Sequence, residues 1–231
     1  MTDALTKIVL DTVQTVPEVL PYLSADARRF VKLHALKAAG DYTSIRAEMS
    51  GEIHDAIYDY LTSSGYITIY KALMAAAISK AYVAAADAGY QDAGAELPLD
   101  AETAAWARAE LDSQLGFVDQ LFENLRELRK EGDVNATAEA LARANGYASG
   151  LDGFYNEAVL RGSKNKMLTF TQISDTKESC PDCVRLRGQR HRASWWVEHD
   201  FVPPKGGGLA CAPGGNCGDG LVDDDGNVVT L

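Results

Sequence analysis

The chain has 231 residues, 46% of them apolar and 24% charged, and its 22 basic and 33 acidic side chains give a net charge of −11. This composition is that of a globular protein with one large domain or two small ones. The acidic balance argues against a protein that coats nucleic acid, although it is compatible with a local basic patch. Lys71 and Lys80 interrupt the most apolar stretch, residues 67–86, and charges interrupt residues 1–16. We therefore expect no membrane-spanning helix, no signal peptide, no membrane partner and a reducing compartment.

Residues 1–163 predict a succession of helices. Apolar side chains recur there at helical spacing, and Pro, Gly and Ser residues separate the successive runs. Asp100 is the predicted N-cap of the fifth run. We expect this region to form a helical domain, either a bundle of long helices or an elongated array. The predicted helices cover residues 4–16, 25–39, 44–61, 67–88, 101–130 and 134–160.

Residues 164–231 differ in composition and predict a second, smaller domain. They hold 8 basic and 9 acidic side chains, which leaves a net charge of −10 on residues 1–163. Residues 167–173 have the composition of a strand. Residues 220–222 and 228–230 flank a hairpin-turn sequence at 224–227. The predicted fold class is therefore mainly α, with a small β unit at the end.

All four cysteines lie in this second region, as the pairs Cys180-x2-Cys183 and Cys211-x5-Cys217. A two-residue spacing lets both thiolates face one tetrahedral zinc ion, and glycines in the second pair permit the turn that a similar arrangement needs. A unit of this size rarely folds on its own core, and a bound metal makes up the deficit. We predict one structural zinc ion held by Cys180, Cys183, Cys211 and Cys217 in a zinc-ribbon-like unit.

Other interpretations of the cysteines stay open. The first pair is also the spacing of a thiol oxidoreductase, although no α/β fold is predicted around it. Two disulfides would form in an oxidising setting, and four unpaired thiols in a small core are the simplest alternative. His191 or His199 replaces a cysteine as ligand in a further variant, while a polar loop residue is the simpler interpretation of each.

A local basic cluster follows the first cysteine pair. Basic side chains interleaved with aromatic ones can contact DNA, but they can equally solvate one face or pair with acidic side chains. The cluster consists of Arg185, Arg187, Arg190, His191 and Arg192, beside Trp195 and Trp196.

Other candidate sites have simpler explanations. The acidic run 223–227 lacks the Gly position and the distal Glu of an EF-hand, so a hairpin turn explains it better than a calcium site. His34 and His54 stand alone on predicted helices. We find no nucleotide-binding, zinc-protease or serine-hydrolase motif, and therefore expect no enzyme.

A series of short motifs in residues 169–221 is similar to a known pattern. They are Thr169-Phe170, Ser179-Cys180-Pro181-Asp182-Cys183, Leu186-Arg187-Gly188, Trp195-Trp196, Pro203-Pro204, Gly206-Gly207-Gly208, Cys211, Gly214-Gly215-Asn216-Cys217-Gly218 and Leu221. The series resembles the C-terminal domain of phage minor head proteins, the Mu F-like or head-morphogenesis family. The similarity covers about residues 145–222, and residues 1–140 match only in being helical. Asp219 stands where many members have a further cysteine, and His199 lies well ahead of the place where many carry a histidine.

The resemblance implies a structural role in a virion. A minor capsid protein of this kind is assembled in the host cytoplasm and binds portal or capsid subunits, with packaged DNA as a further contact. The alternative prediction is a DNA-binding accessory protein that uses Arg185, Arg187, Arg190 and Arg192 of the Cys-rich region.

Overall fold

The structure is a computed structural model that describes residues 41–131, 135–174, 181–202 and 218–230, and within these ranges the chain is mainly helical with one small sheet. The predicted helices at 4–16 and 25–39 lie outside the described residues. Helices come first, and shorter elements follow. The elements in chain order are α1 (Tyr42–Thr62), α2 (Ile67–Asp92), α3 (Ala101–Glu131), α4 (Ala136–Gly162), β1 (Met167–Gln172), α5 (Pro181–Leu186), β2 (Arg190–Arg192), α6 (Ala193–Glu198) and β3 (Asp219–Val222).

Helix α1 is confirmed, and it begins two residues before and ends one residue after the predicted range 44–61. The Asp41 carboxylate accepts a hydrogen bond from the backbone N–H of Ser44 at 2.9 Å, which satisfies one of the amides left without a partner in the first turn. The backbone N–H of Ser63 closes the last turn on the carbonyl of Asp59 at 2.8 Å. One side of the helix is buried, with the spacing of three and four residues that a single helix face requires. The buried residues are Tyr42, Ile45, Met49, Ile53, Ala56, Ile57 and Tyr60.

Helix α2 is the most apolar element, and its two lysines are paired. Lys80 Nζ lies 2.7 Å from Glu48 and 3.0 Å from Glu52, both on α1, while Lys71 Nζ lies 2.9 Å from Asp119 on α3. Helix α2 is long and apolar enough to cross a membrane, but the core helices of soluble proteins meet the same criteria of length and composition. In the structure, 39% of its most apolar window is buried inside the protein.

An aromatic cluster joins the first three helices. The Tyr60 ring lies edge-on to Tyr70 and to Phe122, with ring centroids 5.8 and 5.3 Å apart, a favourable geometry for aromatic pairs. The Arg129 guanidinium lies over the Tyr60 ring, 5.2 Å from its centroid, and donates to the carbonyl of Ser63 at the end of α1. This cluster therefore fixes the α1–α2 turn against α3.

Two compact units divide the described chain. The first unit comprises 41–84, 105–131 and 135–148, and the second comprises 85–104, 149–174, 181–202 and 218–230. Helices α2, α3 and α4 contribute to both units. These units are defined by contacts and differ from the predicted domains, residues 1–163 and 164–231. Whether those two regions fold independently stays a prediction.

Helix–helix contact in the second unit is close. A Cβ at Gly89 of α2 would lie 2.7 Å from the carbonyl oxygen of Tyr155 and 2.9 Å from Cβ of Ala158, so only glycine fits there. The Tyr155 hydroxyl donates to Asp92 at 2.5 Å, and burial together with this bond raises the pKa of Tyr155. These contacts hold the last turns of α2 against α4.

The predicted N-cap of α3 is confirmed. Asp100 Oδ1 accepts from the backbone N–H of Thr103 at 2.8 Å, and its other oxygen lies 3.2 Å from Lys164 Nζ. The bond from the Thr103 amide is the main reason that the pKa of Asp100 is lowered to about 2.

The small sheet has the strand order β2-β1-β3, with antiparallel pairs on both sides of β1. The strand predicted at 167–173 and the turn predicted at 224–227 are confirmed, since Asp223 and Asn227 are joined by a backbone hydrogen bond and Gly226 has φ +83. Beyond the turn, the Val229 amide donates to the Leu221 carbonyl, so residues 228–230 cover the outer edge of β3. Neither α5 nor α6 was predicted.

Candidate functional site

The sheet and its two short helices enclose one apolar core. The alternation along β1 places Leu168 and Phe170 on the buried side, and Trp196 of α6 packs against Phe170 with ring centroids 5.7 Å apart. The Cys183 side chain belongs to this core and has no exposed surface. The buried members are Leu160, Leu168, Phe170, Cys183, Leu186, Ala193, Trp196, Val202 and Leu221.

Of the four predicted zinc ligands, the structure describes Cys183. Cys180, Cys211 and Cys217 lie outside the described residues. Within the described ranges, no group of three or more His, Cys, Asp or Glu side chains is placed to hold a metal ion. The ligand set therefore remains a prediction from the sequence.

The chain segments before Cys180 and after Cys217 meet where β1 ends and β3 begins. The Gly218 carbonyl, one residue after Cys217, accepts from the backbone N–H groups of Ile173 and Ser174 at 2.8 and 3.0 Å. Ser174 directly precedes the segment 175–180 that ends in Cys180. The segment that leads to Cys180 and the segment that follows Cys217 are thus joined by the hydrogen bond between Ser174 and Gly218.

A partly buried ion pair joins Arg187, which follows Cys183 on the chain, to Asp219, which follows Cys217. Arg187 Nε lies 2.6 Å from Asp219 Oδ1, and its Nη2 lies 3.3 Å from Oδ2. Arg187 follows Cys183 by one helical turn, and Asp219 follows Cys217 by two residues.

The chemistry of this donor set suits zinc. Thiolates are soft ligands, and four of them on two short segments make the closed tetrahedral arrangement of structural zinc sites. Cys183 lies in an apolar core, which is the dry setting of such a site. Cys180, Cys183, Cys211 and Cys217 are the residues that would hold the ion.

Asp219 is held by Arg187. It stands where the resembling family often has another cysteine, but both of its oxygens bind the Arg187 guanidinium and its side chain has no exposed surface. Asp219 therefore forms a structural ion pair in this chain.

His191 and His199 both stack on Trp195, and two near-parallel rings this close to one indole would overlap on a single face, so we infer that they lie on opposite faces. Their rings stack on the indole with centroid distances of 3.7 and 4.1 Å and interplanar angles of 16° and 23°. Zinc–nitrogen bonds are about 2.0 Å long, so two imidazole ligands of one ion have nitrogens about 3.5 Å apart. With an indole between them, the two histidines cannot bind the same ion, and at most one of them replaces a cysteine in this arrangement.

The aromatic side chains of the basic cluster offer no open face. Both faces of Trp195 are covered by imidazoles, and the Trp196 side chain is fully buried. Stacking a base on an aromatic ring requires a free face. The described arrangement therefore lacks the stacking platform that the sequence suggested at Trp195 and Trp196.

Most of the predicted nucleic-acid contacts are already paired. Arg187 binds Asp219, Arg190 binds Asp224 with its Nη2 2.8 Å from each oxygen, and Arg185 lies 3.7 Å from Asp182. Arg192 is exposed, and the described residues provide it with no carboxylate partner. The basic cluster is thus largely neutralised within its own unit.

The acidic run 223–227 is a self-contained turn. Asp223 Oδ1 accepts from the backbone N–H groups of Asp225 and Asn227 at 3.0 and 2.8 Å, and Asn227 also holds its second oxygen. The bonds from Asn227 lower the pKa of Asp223. Its carboxylate is occupied in forming the turn, as the hairpin interpretation predicts.

Sequence patterns did not find the Arg187–Asp219 pair or the Trp195 stack. The stack had a signal, because His191, Trp195 and His199 are spaced by four residues, and His199 follows Trp195 by one helical turn. The ion pair had none, since 32 residues separate its members.

Comparisons with known proteins give no relative for this chain. No protein-family model matches it, no curated protein is similar to it, and no solved structure matches it.

Proposed function

We propose that this chain is a structural phage head protein, a minor capsid or head-morphogenesis protein, that binds capsid or portal subunits through its helices and catalyses no reaction. In this proposal it is assembled in the host cytoplasm and becomes part of the virion. The C-terminal unit is zinc-ribbon-like, and one zinc ion held by Cys180, Cys183, Cys211 and Cys217 stabilises it.

One observation carries the proposal. The structure describes part of the motif series, and these residues form the small unit, by which we mean the sheet β1–β3 with helices α5 and α6. Phe170, Leu186, Trp196 and Leu221 are buried in its core. Gly188 of the Leu-x-Gly motif has φ +79, which favours glycine, and its N–H donates to the Phe170 carbonyl. The motifs therefore serve folding, which supports a domain of the resembling type and a structural role for its cysteines.

The helical layout also supports a binding role. Long helices precede the Cys-bearing unit, as in the resembling proteins. Exposed apolar side chains occur on α3 and α4 of the first unit, where Phe117 is 58% and Leu141 52% exposed. Such side chains can take part in a subunit interface, which typically needs about 800 Å² on each partner.

The test is co-assembly of the full chain with the portal and major capsid proteins of the same virus. We expect the chain to co-purify with one of them through size-exclusion chromatography, and Phe117→Asp or Leu141→Asp to weaken the association at least tenfold. A matched control is Val228→Asp, which changes an equally exposed side chain of the small unit. A chain that stays monomeric and binds neither protein contradicts the proposal.

The alternative, a DNA-binding accessory protein, has less support. Four arginines that neutralise phosphates would give a salt dependence of log K against log [salt] with a slope of about −3.6 on duplex DNA. Because three of them are paired, we expect no binding of this kind to a duplex at low salt. Measured binding with a slope near that value, which falls by about 0.9 in Arg192→Ala and is lost when Arg185, Arg187, Arg190 and Arg192 are all neutralised, would favour the alternative.

A further inference from the structure

An exposed apolar stripe lies on the first turns of α2. Tyr66 is 80%, Ile69 43% and Leu73 50% exposed. The backbone N–H of Ile69 donates to the Tyr66 carbonyl, so Tyr66 is part of the first turn. Residues spaced by three and four positions lie on one face of a helix, so the three side chains form one continuous surface, the α2 stripe.

The α2 stripe is separate from the core-facing side of the same helix. Tyr70 packs on Tyr60 and shares a hydrogen bond with Ser63, and Met74 is fully buried. The side chains on the inward side of the first turns of α2 therefore pack within the first unit. The described residues leave Tyr66, Ile69 and Leu73 partly exposed to solvent, whereas they bury Met74 on the inward side completely.

The small size of the stripe argues for an occupant on the same chain. Three partly exposed side chains offer on the order of 300 Å². A second copy or a separate protein needs about 800 Å² on each side for a stable, specific interface. A tethered segment avoids most of the cost of association, because its effective concentration is set by the linker.

Residues 4–16 have the complementary pattern. Leu5, Ile8, Val9 and Val13 recur at helical spacing, and the sequence predicts a helix there. From Leu5 to Val13 such a helix rises about 12 Å, and the stripe from Tyr66 to Leu73 extends about 10 Å. The two apolar faces match in length.

The connection to Asp41 is long enough. Tyr66 lies beyond the far end of α1, which has 21 residues and is therefore about 32 Å long. Residues 17–24 can extend over about 26 Å, and a helix at 25–39 adds about 22 Å. The segment 4–16 can therefore reach the α2 stripe from the start of α1.

We propose that residues 4–16 dock through Leu5, Ile8, Val9 and Val13 on the α2 stripe of the same chain. The contact adds a helix to the outer side of α2 and removes Tyr66, Ile69 and Leu73 from water. This docking does not depend on the proposed role in a phage head, because it is a contact between two segments of the same chain.

Hydrogen–deuterium exchange on the full chain tests the docking. We expect the backbone amides of residues 4–16 to be protected in the unmodified chain. Leu73→Asp and Ile69→Asp place a charge on the stripe and should each reduce that protection at least tenfold. Both positions are partly exposed, so amide protection in α1 should stay unchanged. Leu141→Asp, at a comparably exposed apolar position on α4, is the matched control and should leave residues 4–16 protected.

Three results would overturn the proposal. The first is fast exchange of residues 4–16 in the unmodified chain. The second is protection that persists in both stripe variants. The third is protection that depends on chain concentration and disappears with a dimer in Leu73→Asp, because a second copy would then cover the stripe. Failure to bind portal or capsid subunits affects none of these measurements.

Discussion

Arg187 reaches across the small unit to Asp219 and holds both oxygens of a carboxylate that has no exposed surface. The Arg187 side chain is one-third exposed. The pair is therefore asymmetric, because removing the arginine leaves a charge in the core, whereas removing the aspartate leaves a charge that can still reach water.

We expect Arg187→Ala to be the more damaging change. Breaking a buried ion pair and leaving one partner uncompensated costs about 3–5 kcal/mol, and we expect Arg187→Ala to lower the free energy of unfolding by about 3 kcal/mol. Urea unfolding followed by the fluorescence of Trp195 and Trp196 measures it. Arg190→Ala removes an exposed pair with Asp224 and should cost at most about 1 kcal/mol. Equal effects of the two variants would contradict the prediction.

Gly89→Ala should destabilise the second unit. Its Cβ would meet the Tyr155 carbonyl at 2.7 Å, and separating α2 from α4 to relieve that clash costs about 1–3 kcal/mol. Gly116→Ala, on α3, meets no atom within 4 Å and should instead raise the free energy of unfolding by about 0.5–1 kcal/mol, because alanine favours a helix. Thermal or urea denaturation of the two variants should give shifts of opposite sign.

Asp100 should make stability depend on pH below about 4. Its pKa is about 2 in the folded protein, below the ordinary value of 3.8, mainly because the Thr103 amide binds the charged form. A lowered folded pKa gives stability that is present above pH 4 and is lost as the pH falls toward 2. Asp100→Asn keeps an N-cap without the charge. We expect the variant to be less stable than the unmodified chain at pH 6 and the difference to vanish near pH 2, in urea unfolding at both pH values. A difference that is the same at both pH values would contradict the assignment.

The zinc proposal predicts one ion per chain purified without a metal-binding tag. Elemental analysis should find it, and the thiols should react only after chelation and unfolding. Cys183→Ser should lose the metal and lower the stability of the small unit. Val184→Ser changes the neighbouring exposed side chain on α5 and should keep the metal. A chain without metal contradicts the proposal, and its thiol content then separates disulfides from unpaired cysteines.

Local patterns were enough to predict the long helices. Apolar spacing located α1 to α4 to within a few residues, and Asp100 was predicted as the N-cap of α3, whereas the Asp41 cap of α1 was not predicted. The turn at 224–227 was predicted on the same basis, because it is stabilised by bonds within five residues. These elements depend on interactions between residues close in sequence.

The short elements of the small unit could not be predicted in this way. Helices α5 and α6 have six residues each, too few for a helical period to appear. Pro181 at the first position of α5 is the local signal that was available. These helices form because Leu186 and Trp196 enter a core shared with β1 and β3, and that information is spread over residues 160–221. The zinc ligands remain predicted from spacing alone.

The margin of the sheet beside β3 is protected by the residues that follow the turn. On the β3 side, the Val229 amide bonds to the Leu221 carbonyl and the Leu221 amide to the Thr230 hydroxyl, so that margin has no row of vacant backbone groups. Deleting residues 227–230 would uncover it and create a template on which another chain can add a strand. Residues 227–230 thus guard against intermolecular β-pairing, and a chain without them should self-associate more strongly than the unmodified chain.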